Sequence, residues 1–501
     1  MDPSQQTVST AAPDVSAQYS GRHPRQLYLL FFTEMWERFS FYGMKALLLA
    51  YMVTQLSYEE PKGYAILGAY AALVYTMPMF GGMLADKLLG YQRAIIFGGL
   101  LMAAGHLVLA IPQDWSFFAG MALIICGNGF FKPNISSIVG QLYDDNDPRK
   151  DSAFSIFYMG INIGAALGGA LCGWIAHYSW HYGFGLAGIF MIIGLIVFMA
   201  GKKSLGGKGL APDPVRLKKP LVAGISAEWC TYLLSLLAVP LVIFLLRAYA
   251  IMDYIMLPLG ILSLCYLLFV SFRLEREGRN RLLAATVMIL FSVVFWAFYE
   301  QNSGALNLFA MRNVDMRLFG HELPALSVNN FLPPAWVILL SPVFAWLWVW
   351  LSRRRLEPGT PLKFALSFLL VGAGFLVFFA GTRMSAGSGL IPLSLFAAGY
   401  FFIICGELCI SPIGLSMITK LSPGRMVGMM MGIWFLASAL GEFLASKIGA
   451  LMSVPENVSD PVASLPYYAT ILQQIGYASA GVGVLLLLIV PVLRKWMGGI
   501  H

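Results

Sequence analysis

Long apolar segments alternate with short polar ones along almost the whole chain. Each apolar segment is at least about 18 residues long, which is enough for a helix to cross a bilayer. The pattern therefore predicts an all-α polytopic membrane protein with fourteen transmembrane helices. We place them at 28–54, 62–84, 92–111, 116–140, 153–176, 182–201, 221–246, 249–271, 281–308, 327–352, 361–381, 389–418, 425–453 and 468–493.

The composition supports a membrane protein. Of the 501 residues, 58% are hydrophobic and 12% are charged, whereas soluble proteins contain about 25% charged residues. The first twenty residues are polar and lack the apolar core of a signal peptide, so the first helix is predicted to act as an uncleaved signal-anchor. All six cysteines fall in apolar segments, which predicts packed thiols rather than disulfides. We expect no metal and no cofactor.

The distribution of basic residues predicts the orientation of the helices. With the N-terminus in the cytoplasm, 24 of the 33 lysines and arginines fall in cytoplasmic segments and five on the opposite side. Cytoplasmic loops of membrane proteins carry this excess. We therefore predict a multi-pass protein of the plasma (inner) membrane with both termini in the cytoplasm. The net charge of +8 is then a topology signal, and nucleic-acid binding is not needed to explain it.

A basic linker, GKKSLGGKGLAPDPVRLKKP, divides six predicted helices from eight. Large transporters are often two six-helix bundles around a central site. Except for Glu228 at its head, we expect no charge within the first helix pair after the linker, and so place that pair outside the transport path. The predicted divisions are a cytoplasmic tail (1–27), a six-helix bundle (28–201), a mobile linker (202–220), an inserted helix pair (221–271) and a second six-helix bundle (281–494).

The loop GGMLADKLLGYQRAI (81–95) resembles the loop signature of the major facilitator superfamily. Its glycines permit close approach of helices, and Asp86 can cap a helix and form an ion pair at a cytoplasmic gate. A plain turn with solvated charges is the alternative reading.

The stretch EMWERFSFYGMK (34–45) places four ionisable side chains in the first predicted helix. At 100° per residue the polar groups share one arc of about 140°, so this face must point at protein or water rather than lipid. One reading is structural ion pairing between helices. The other is a site that handles protons or substrate, because the protonation of a carboxylate in a low-dielectric cavity depends on whether a cation is near. Movement of Arg38 on or off Glu37 would then switch the protonation of Glu37.

Further polar groups occur in other apolar segments. They are Lys132 in GFFKPNISS, Tyr158 and Asn162 in FSIFYMGINIG, Glu300 in FWAFYEQNSG, and Glu407 and Ser411 in GELCISPIG. The cations of the first half face the carboxylates of the second half. This arrangement suits a zwitterion bound between the halves, and it also suits salt bridges that form in one conformation and break in another.

Taken together, EMWERFSFYG, GGMLADKLLG, FYMGINIG, FWAFYEQNSGALNLFAMRNVD and GELCISPIGLSM resemble the proton-coupled oligopeptide transporters, the POT/PTR family of the major facilitator superfamily. The resemblance implies import of di- and tripeptides with protons by alternating access. It implies proton coupling by Glu34, Glu37, Arg38 and Glu300, and gate salt bridges among Lys45, Glu300, Lys132 and Glu407. The peptide-binding residues that it implies are Arg38, Tyr42, Tyr75, Lys132, Tyr158, Asn162, Glu300, Glu407, Ser411 and Trp434.

The sequence departs from the family pattern at several positions. Phe41 replaces a common tyrosine, and Lys45 replaces an arginine that many members carry. In VNNFLPPAW, either Asn329 or Asn330 is a candidate for an asparagine that holds the peptide backbone. Glu442 stands where asparagine is common, with Lys447 as its candidate partner, and His106 is read either as a titrating group or as a packed side chain.

The expected partners are di- and tripeptides, protons and the lipid bilayer, and the expected state is a monomer. The alternative function is proton-coupled transport of another small zwitterion or anion, such as an amino acid or nitrate. An enzyme is disfavoured because the sequence has no HExxH pair, no clustered His/Cys set and no evident Ser/His/Asp set. A channel is disfavoured because charges of both signs face one cavity, whereas a selective pore uses rings of one kind.

Overall fold

The computed structural model describes residues 21–144, 147, 149–222, 224–410, 414–423 and 426–498. Its helices in the first half are α1 (Arg25–Thr54), α2 (Glu60–Leu84), α3 (Tyr91–Leu109), α4 (Asp114–Gln141), α5 (Lys150–Ala176), α6 (Trp180–Gly201), α7 (Pro214–Lys218), α8 (Ala227–Arg247) and α9 (Ile251–Ser271). Those in the second half are α10 (Arg276–Tyr299), α11 (Ala305–Asn313), α12 (Ala325–Arg353), α13 (Thr360–Met384), α14 (Leu393–Ile410), α15 (Gly414–Leu421), α16 (Val427–Ala450) and α17 (Pro461–Met497).

Short strand pairs occur only in the connecting segments of the described chain. β1 (Pro220–Val222) pairs antiparallel with β2 (Ile225–Ser226), and β4 (Arg317–Leu318) pairs antiparallel with β5 (His321–Glu322). β3 (Val314–Asp315) pairs in parallel with β6 (Ile391–Pro392). All longer elements of the described chain are helices, so the prediction of an all-α membrane protein is confirmed.

Thirteen helices in the described ranges are long and apolar enough to cross a membrane. The remaining predicted span is α1, which is 30 residues long. Its ionisable side chains at Glu34, Glu37, Arg38 and Lys45 lower its hydropathy, but all four are buried inside the protein. The helix is therefore compatible with a membrane interior because its charges face other helices rather than lipid.

The helices form two bundles with an inserted pair. In the first bundle α1 packs against α5 and α6, and α3 packs against α4; in the second, α13 packs against α14 and α17, and α10 against α16. The bundles meet where α2 contacts α16 and where α5 contacts α12. Glycines permit the second contact, because a Cβ at Gly173 would lie 2.7 Å from the backbone nitrogen of Ser327 and one at Gly169 would lie 2.7 Å from Cβ of Asn330.

The predicted continuous helix at 281–308 is wrong. α10 ends at Tyr299 and α11 begins at Ala305, so residues 300–304 interrupt the helix. The side-chain nitrogen Nδ2 of Asn329 donates to the carbonyl oxygen of Asn302 within the break, at 3.1 Å. Irregular backbone is tolerated inside a membrane protein where it lines a cavity and its polar groups find partners.

The linker at 202–220, which the sequence predicts to be mobile, lies against the first bundle in this structure. Gln92 Nε2 donates to the carbonyl oxygen of Lys208 at 2.7 Å, and the backbone nitrogen of Gly209 donates to Gln141 Oε1 at 3.0 Å. Leu217 is completely buried. The linker therefore packs on the first bundle, since its few apolar side chains find a buried site there.

The inserted pair bridges the bundles from outside. α8 packs against α4 and α2, whereas α9 packs against α10 and α16. The expectation of no charge beyond Glu228 is wrong, because α9 contains Asp253, which lies 2.6 Å from Lys447 of α16. Glu228 itself lies 3.1 Å from Arg93. The pair is thus held to each bundle by one ion pair.

The six cysteines are free. Four are buried, Cys230 is half-buried and Cys265 is exposed, so the prediction of packed thiols is wrong for Cys265, which lies on the outer face of α9. His106 is completely buried, and neither of its ring nitrogens has a hydrogen-bond partner among the described residues. The packed reading of this histidine therefore fits the structure better than the titrating one, because a charged imidazole would have no partner there.

Candidate functional site

A polar cavity of about 240 Å³ lies between the two bundles. This volume is just below the range of roughly 300–1,000 Å³ that is usual for small-molecule sites. Residues of both bundles line it, and none comes from α8 or α9. They are Tyr42, Tyr75, Tyr158, Ile161, Asn162, Ala165, Gly169, Trp296, Tyr299, Glu300, Asn302, Ser303, Asn330, Pro333, Pro334, Val337, Tyr400, Ile403, Ile404 and Glu407.

One face of α5 forms a wall of this cavity. Tyr158, Ile161, Asn162, Ala165 and Gly169 recur at intervals of one, three or four residues, so they share one side of the helix. Asn162 Nδ2 donates to the carbonyl oxygen of Tyr158 at 2.9 Å, which fixes the orientation of the amide. The sequence-predicted residues Tyr158 and Asn162 therefore lie in the cavity wall.

Glu407 of α14 is the carboxylate on the opposite wall. It is buried, and the hydroxyl of Tyr299 donates a hydrogen bond to its Oε2. The hydroxyl of Tyr158, from the first bundle, is 3.5 Å from Oε1. Two tyrosine hydroxyls, one from each bundle, thus orient this carboxylate at the cavity wall, and a carboxylate oxygen can accept more than one hydrogen bond.

Arg38 and its two glutamates form a buried ion cluster on α1. The guanidinium of Arg38 contacts both oxygens of Glu37, with Nη2 2.7 Å from Oε1, and its Nε lies 3.2 Å from Oε1 of Glu34. The second oxygen of Glu34 has no hydrogen-bond partner among the described residues. The cluster does not line the cavity, but Tyr42 on the next turn does. The guanidinium carbon Cζ of Arg38 lies 5.1 Å from the centre of the Phe41 ring.

Lys132 does not contact Glu407. Its ammonium nitrogen lies 4.6 Å from the centre of the Tyr75 ring, in a cation–π contact. The expected gate salt bridge between Lys132 and Glu407 is therefore not formed in this conformation, because the first-bundle lysine and the second-bundle carboxylate stay apart. Trp434 is buried and lies outside the cavity wall, and Ser411 lies outside the described residues.

Lys45 joins α1 to the second bundle. Its ammonium nitrogen lies 3.3 Å from Oε2 of Glu300 and 3.0 Å from Oε1 of Glu442. The structure thus brings the predicted pair Lys45 and Glu300 together. The candidate pairing of Glu442 with Lys447 is wrong, because Lys447 points outwards to Asp253 and Glu442 points inwards to Lys45.

Two further contacts join the bundles on the side opposite the chain termini. Arg312 Nη1 lies 2.5 Å from Oε1 of Glu60, and Asn307 Nδ2 donates to the carbonyl oxygen of Ala46 at 3.0 Å. Sequence analysis missed Glu60 and Arg312, since both lie near helix ends where charge is common. Nothing in the local pattern distinguishes them from solvated residues.

A network of amides supports the cavity behind Glu300. The carbonyl oxygen Oδ1 of Asn307 accepts from Asn329 at 2.6 Å and from Asn330 at 2.7 Å. The hydroxyl of Tyr400 donates to Oδ1 of Asn329 at 2.6 Å and to Oδ1 of Asn302 at 2.8 Å. Asn330 borders the cavity, whereas Asn329 is fully buried in the network.

Sequence analysis did not single out several residues of the cavity wall. Trp296, Tyr299 and Asn302 lie within FWAFYEQNSG, where polar residues interrupt an apolar helix, and that interruption was the available signal. Tyr400 lies in an ordinary apolar segment, so no sequence signal marked it.

Comparisons with known proteins agree with this architecture. Residues 92–467 match the family model described as the POT family. The chain is 36% identical over 487 residues to the uncharacterized transporter YclF of Bacillus subtilis, covering 95% of this chain and 96% of the relative. It is 34% identical over 488 residues to dipeptide and tripeptide permease A of Cronobacter turicensis, covering 95% and 94%.

Among solved structures, the crystal structure of a mutant of peptide transporter POT in complex with alafosfalin superposes with a TM-score of 0.81 at 37% identity, covering 95% of this chain and 96% of the other. The likeness spans both bundles and the inserted pair. The family match covers most of the chain and includes residues of the cavity wall from both bundles. The chain therefore belongs to the POT family.

Proposed function

We propose that this protein is a proton-coupled symporter that imports di- and tripeptides by alternating access. The single observation that carries the proposal is the polar cavity between the bundles, which has the buried carboxylate of Glu407 on one wall and tyrosine hydroxyls on both. The family relatives named as dipeptide and tripeptide permease or as peptide transporter support it.

All short peptides have an amino group at one end and a carboxylate at the other, so the protein can recognise these two groups whatever the side chains are. We assign the amino group of the peptide to Glu407, with Tyr158 and Tyr299 holding the carboxylate in position. We also assign the peptide backbone to Asn162 and Asn330, whose amides border the cavity. Charged groups fix the ends whatever the side chains are, so we expect broad side-chain specificity with a strict limit on length.

The carboxylate end of the peptide is assigned to Arg38 and Lys132. In this conformation Arg38 is engaged by Glu37 and Glu34, and it reaches the cavity only if those contacts weaken. Protonation of Glu37 removes the negative charge that holds the guanidinium, which frees Arg38 for the peptide carboxylate. This exchange is the proposed physical link between protons and substrate, with Glu34 as the second acceptor.

The conformation corresponds to one stage of alternating access. Ion pairs of Lys45 with Glu300 and of Arg312 with Glu60 hold the bundles together on the side opposite the termini. With both termini in the cytoplasm of a plasma (inner) membrane, as the distribution of basic residues indicates, this side faces outwards and is closed. Since the cavity is formed within one chain, we propose that the monomer is the working unit.

The function is tested by uptake into proteoliposomes that contain the purified full chain. Labelled dipeptide should accumulate when an inward proton gradient is applied, and unlabelled di- and tripeptides, but not tetrapeptides, should compete. Transport that continues unchanged after the gradient is collapsed would contradict the proposal that peptide uptake is coupled to protons. Competition by free amino acids or nitrate instead of peptides would favour the alternative substrate class.

A further inference from the structure

One ammonium group lies between two buried carboxylates beside the cavity. The nitrogen Nζ of Lys45 is 3.0 and 3.2 Å from the two oxygens of Glu442, and 3.3 Å from Oε2 of Glu300. The Lys45, Glu300 and Glu442 side chains are 5%, 16% and 7% exposed, respectively. The two carboxylates share one cation. The Glu300 oxygen that contacts Nζ of Lys45 cannot lie farther from a Glu442 oxygen than the sum of their two distances to Nζ, so the two carboxylates are close together. We name these three residues the lysine triad.

Among the described residues, Lys45 is the one cation within ion-pair distance of Glu300 and Glu442. The charged and titratable groups that face the lysine triad are Tyr42 of α1, Tyr64, Tyr70 and Tyr75 of α2, Lys132 of α4 and Glu407 of α14. The tyrosines are neutral at physiological pH.

The other described cations nearby do not form an ion pair with the lysine triad. Arg38 contacts Glu34 and Glu37, and the ammonium group of Lys132 lies over the ring of Tyr75. Lys447 is paired with Asp253 on the outer side of α16. With both of its carboxylates ionised, the lysine triad therefore carries a net charge of −1 in a buried site.

An uncompensated buried charge is costly, and two carboxylates that share a site resolve the cost by holding one proton. We infer that Glu442 is a proton-binding residue, and that Glu442 and Glu300 hold one proton between them while Lys45 neutralises the other carboxylate. The proton belongs to the pair rather than to either residue. This inference rests on the proposed proton-coupled function and adds a proton-binding group to it.

The positions of the two carboxylates indicate the direction in which the proton moves. Glu300 borders both the central cavity and a small cavity of about 10 Å³, whereas Glu442 borders only the small one, together with Lys45 and Tyr64. Lys45 belongs to the first bundle, but both carboxylates belong to the second. Opening of this side therefore removes Lys45 and leaves Glu442 and Glu300 facing the solution together.

The transfer step starts from the state in which both carboxylates are ionised. A carboxylate oxygen of Glu442 takes a proton from that solution and passes it to a carboxylate oxygen of Glu300. Glu442 is ionised again, Glu300 is protonated, and no other group changes its charge. Glu300 then adjoins the central cavity, where the peptide binds. The proton route to the central cavity thus includes Glu442, which lies before Glu300 on the side that is closed in this conformation.

The test is the infrared band of protonated carboxyl groups in the purified full chain near neutral pH. Glu442→Gln should remove intensity equal to one carboxylic acid per protein, because the remaining Glu300 is ionised beside Lys45. Glu300→Gln should remove the same intensity for the same reason, and Glu442→Asp should keep it. Lys45→Gln should increase the band, since both carboxyl groups then lack a cation.

Asp147→Asn is the matched control, because Asp147 is a buried carboxylate that has its own cation, Arg149, within the first bundle and does not join the bundles. It should leave the band unchanged. A band that Glu442→Gln does not reduce, at the same protein concentration and pH, would overturn the inference. The readout does not depend on transport. Absence of driven peptide uptake by the wild-type chain would therefore remove the proposed function, while the infrared result would still decide whether Glu442 binds a proton.

Discussion

The guanidinium nitrogen Nη1 of Arg312 lies 2.5 Å from the carboxylate oxygen Oε1 of Glu60, and this ion pair joins the two bundles at their ends. Glu60 also accepts a hydrogen bond from the backbone nitrogen of Val454 at 3.1 Å, and Arg312 donates to the hydroxyl of Tyr468 at 2.9 Å. One carboxylate of the first bundle is thus held by two segments of the second. Any movement that opens this side must break all of these contacts together.

Glu60→Gln is therefore expected to favour the conformation that is open on this side. Loss of the charge-assisted contact should cost about 1–3 kcal/mol, which shifts the conformational ratio roughly 5-fold to 150-fold. Pulsed electron paramagnetic resonance between spin labels on the two bundles at this side should show a larger population of long distances.

The control for this variant is Asp315→Asn, which removes an exposed ion pair with Arg317 within a single connecting segment of the second bundle. Because that pair does not join the bundles, the distance distribution should stay as in the wild type. Equal distributions in Glu60→Gln and wild type would show that the Glu60–Arg312 pair does not hold this side closed.

The sequence was sufficient to predict the helical membrane fold, because burial of apolar segments in lipid leaves few other structures possible. It was also sufficient to place the ionisable groups of α1 on one protected face. The partner of Glu442 could not be predicted, since Lys45 is 397 positions away in the chain and only tertiary packing of the two bundles brings them together. The local candidate Lys447 was wrong because it lies on the opposite side of the same helix.

Other details depend on tertiary packing in the same way. The interruption of the helix at 300–304 requires side chains of α12 to satisfy the free backbone groups, and the position of those side chains is not visible in the sequence. The linker at 202–220 has a flexible composition, yet it is held by Gln92 and Gln141 of the first bundle. The composition therefore did not predict the site at which the linker packs.

Glu407→Gln is expected to weaken binding of peptides that carry a free amino group. Replacement of the carboxylate by a neutral amide removes a charge-assisted hydrogen bond, worth about 1.5–3 kcal/mol, so the Kd should rise roughly 10-fold to 150-fold. Titration calorimetry with a dipeptide measures this change directly. The Kd of an N-acetylated dipeptide serves as the internal control and should change little. A similar loss for both ligands would argue against contact between Glu407 and the amino group.

Asn329 and Asn330 are adjacent in the chain but are expected to differ in function. Asn330→Ala removes an amide that borders the cavity, so the Kd for a dipeptide should rise about 3-fold to 10-fold. It also removes the hydrogen bond to Asn307, but Tm should fall less than in Asn329→Ala, because Asn329 makes more hydrogen bonds in the network. Asn329→Ala leaves the hydroxyl of Tyr400 without one of its two acceptors in a buried network. It should therefore cost about 1–3 kcal/mol of stability and lower Tm clearly.

Each of these two variants is the control for the other. Thermal unfolding of the purified protein and dipeptide titration, measured on the same preparations, separate the effect on stability from that on binding. A larger loss of affinity in Asn329→Ala than in Asn330→Ala would reverse the assignment of the peptide-facing amide.

Glu37→Gln is expected to uncouple peptide movement from the proton gradient. The guanidinium of Arg38 contacts both oxygens of Glu37, so a neutral amide at this position imitates the protonated state permanently. Arg38 is then free to bind the peptide carboxylate without a proton. Gradient-driven uptake in proteoliposomes should fall at least about 10-fold, whereas peptide counterflow, which needs no net proton movement, should be largely retained.

Glu34→Gln is the matched comparison, because Glu34 contacts Arg38 through a single oxygen at 3.2 Å. Arg38 keeps its two contacts with Glu37 in this variant, and the proton-dependent exchange remains possible. We therefore expect a smaller loss of driven uptake than in Glu37→Gln, again with counterflow retained. Normal driven uptake in Glu37→Gln would show that the principal proton switch of α1 lies elsewhere, and a greater loss in Glu34→Gln would assign it to Glu34.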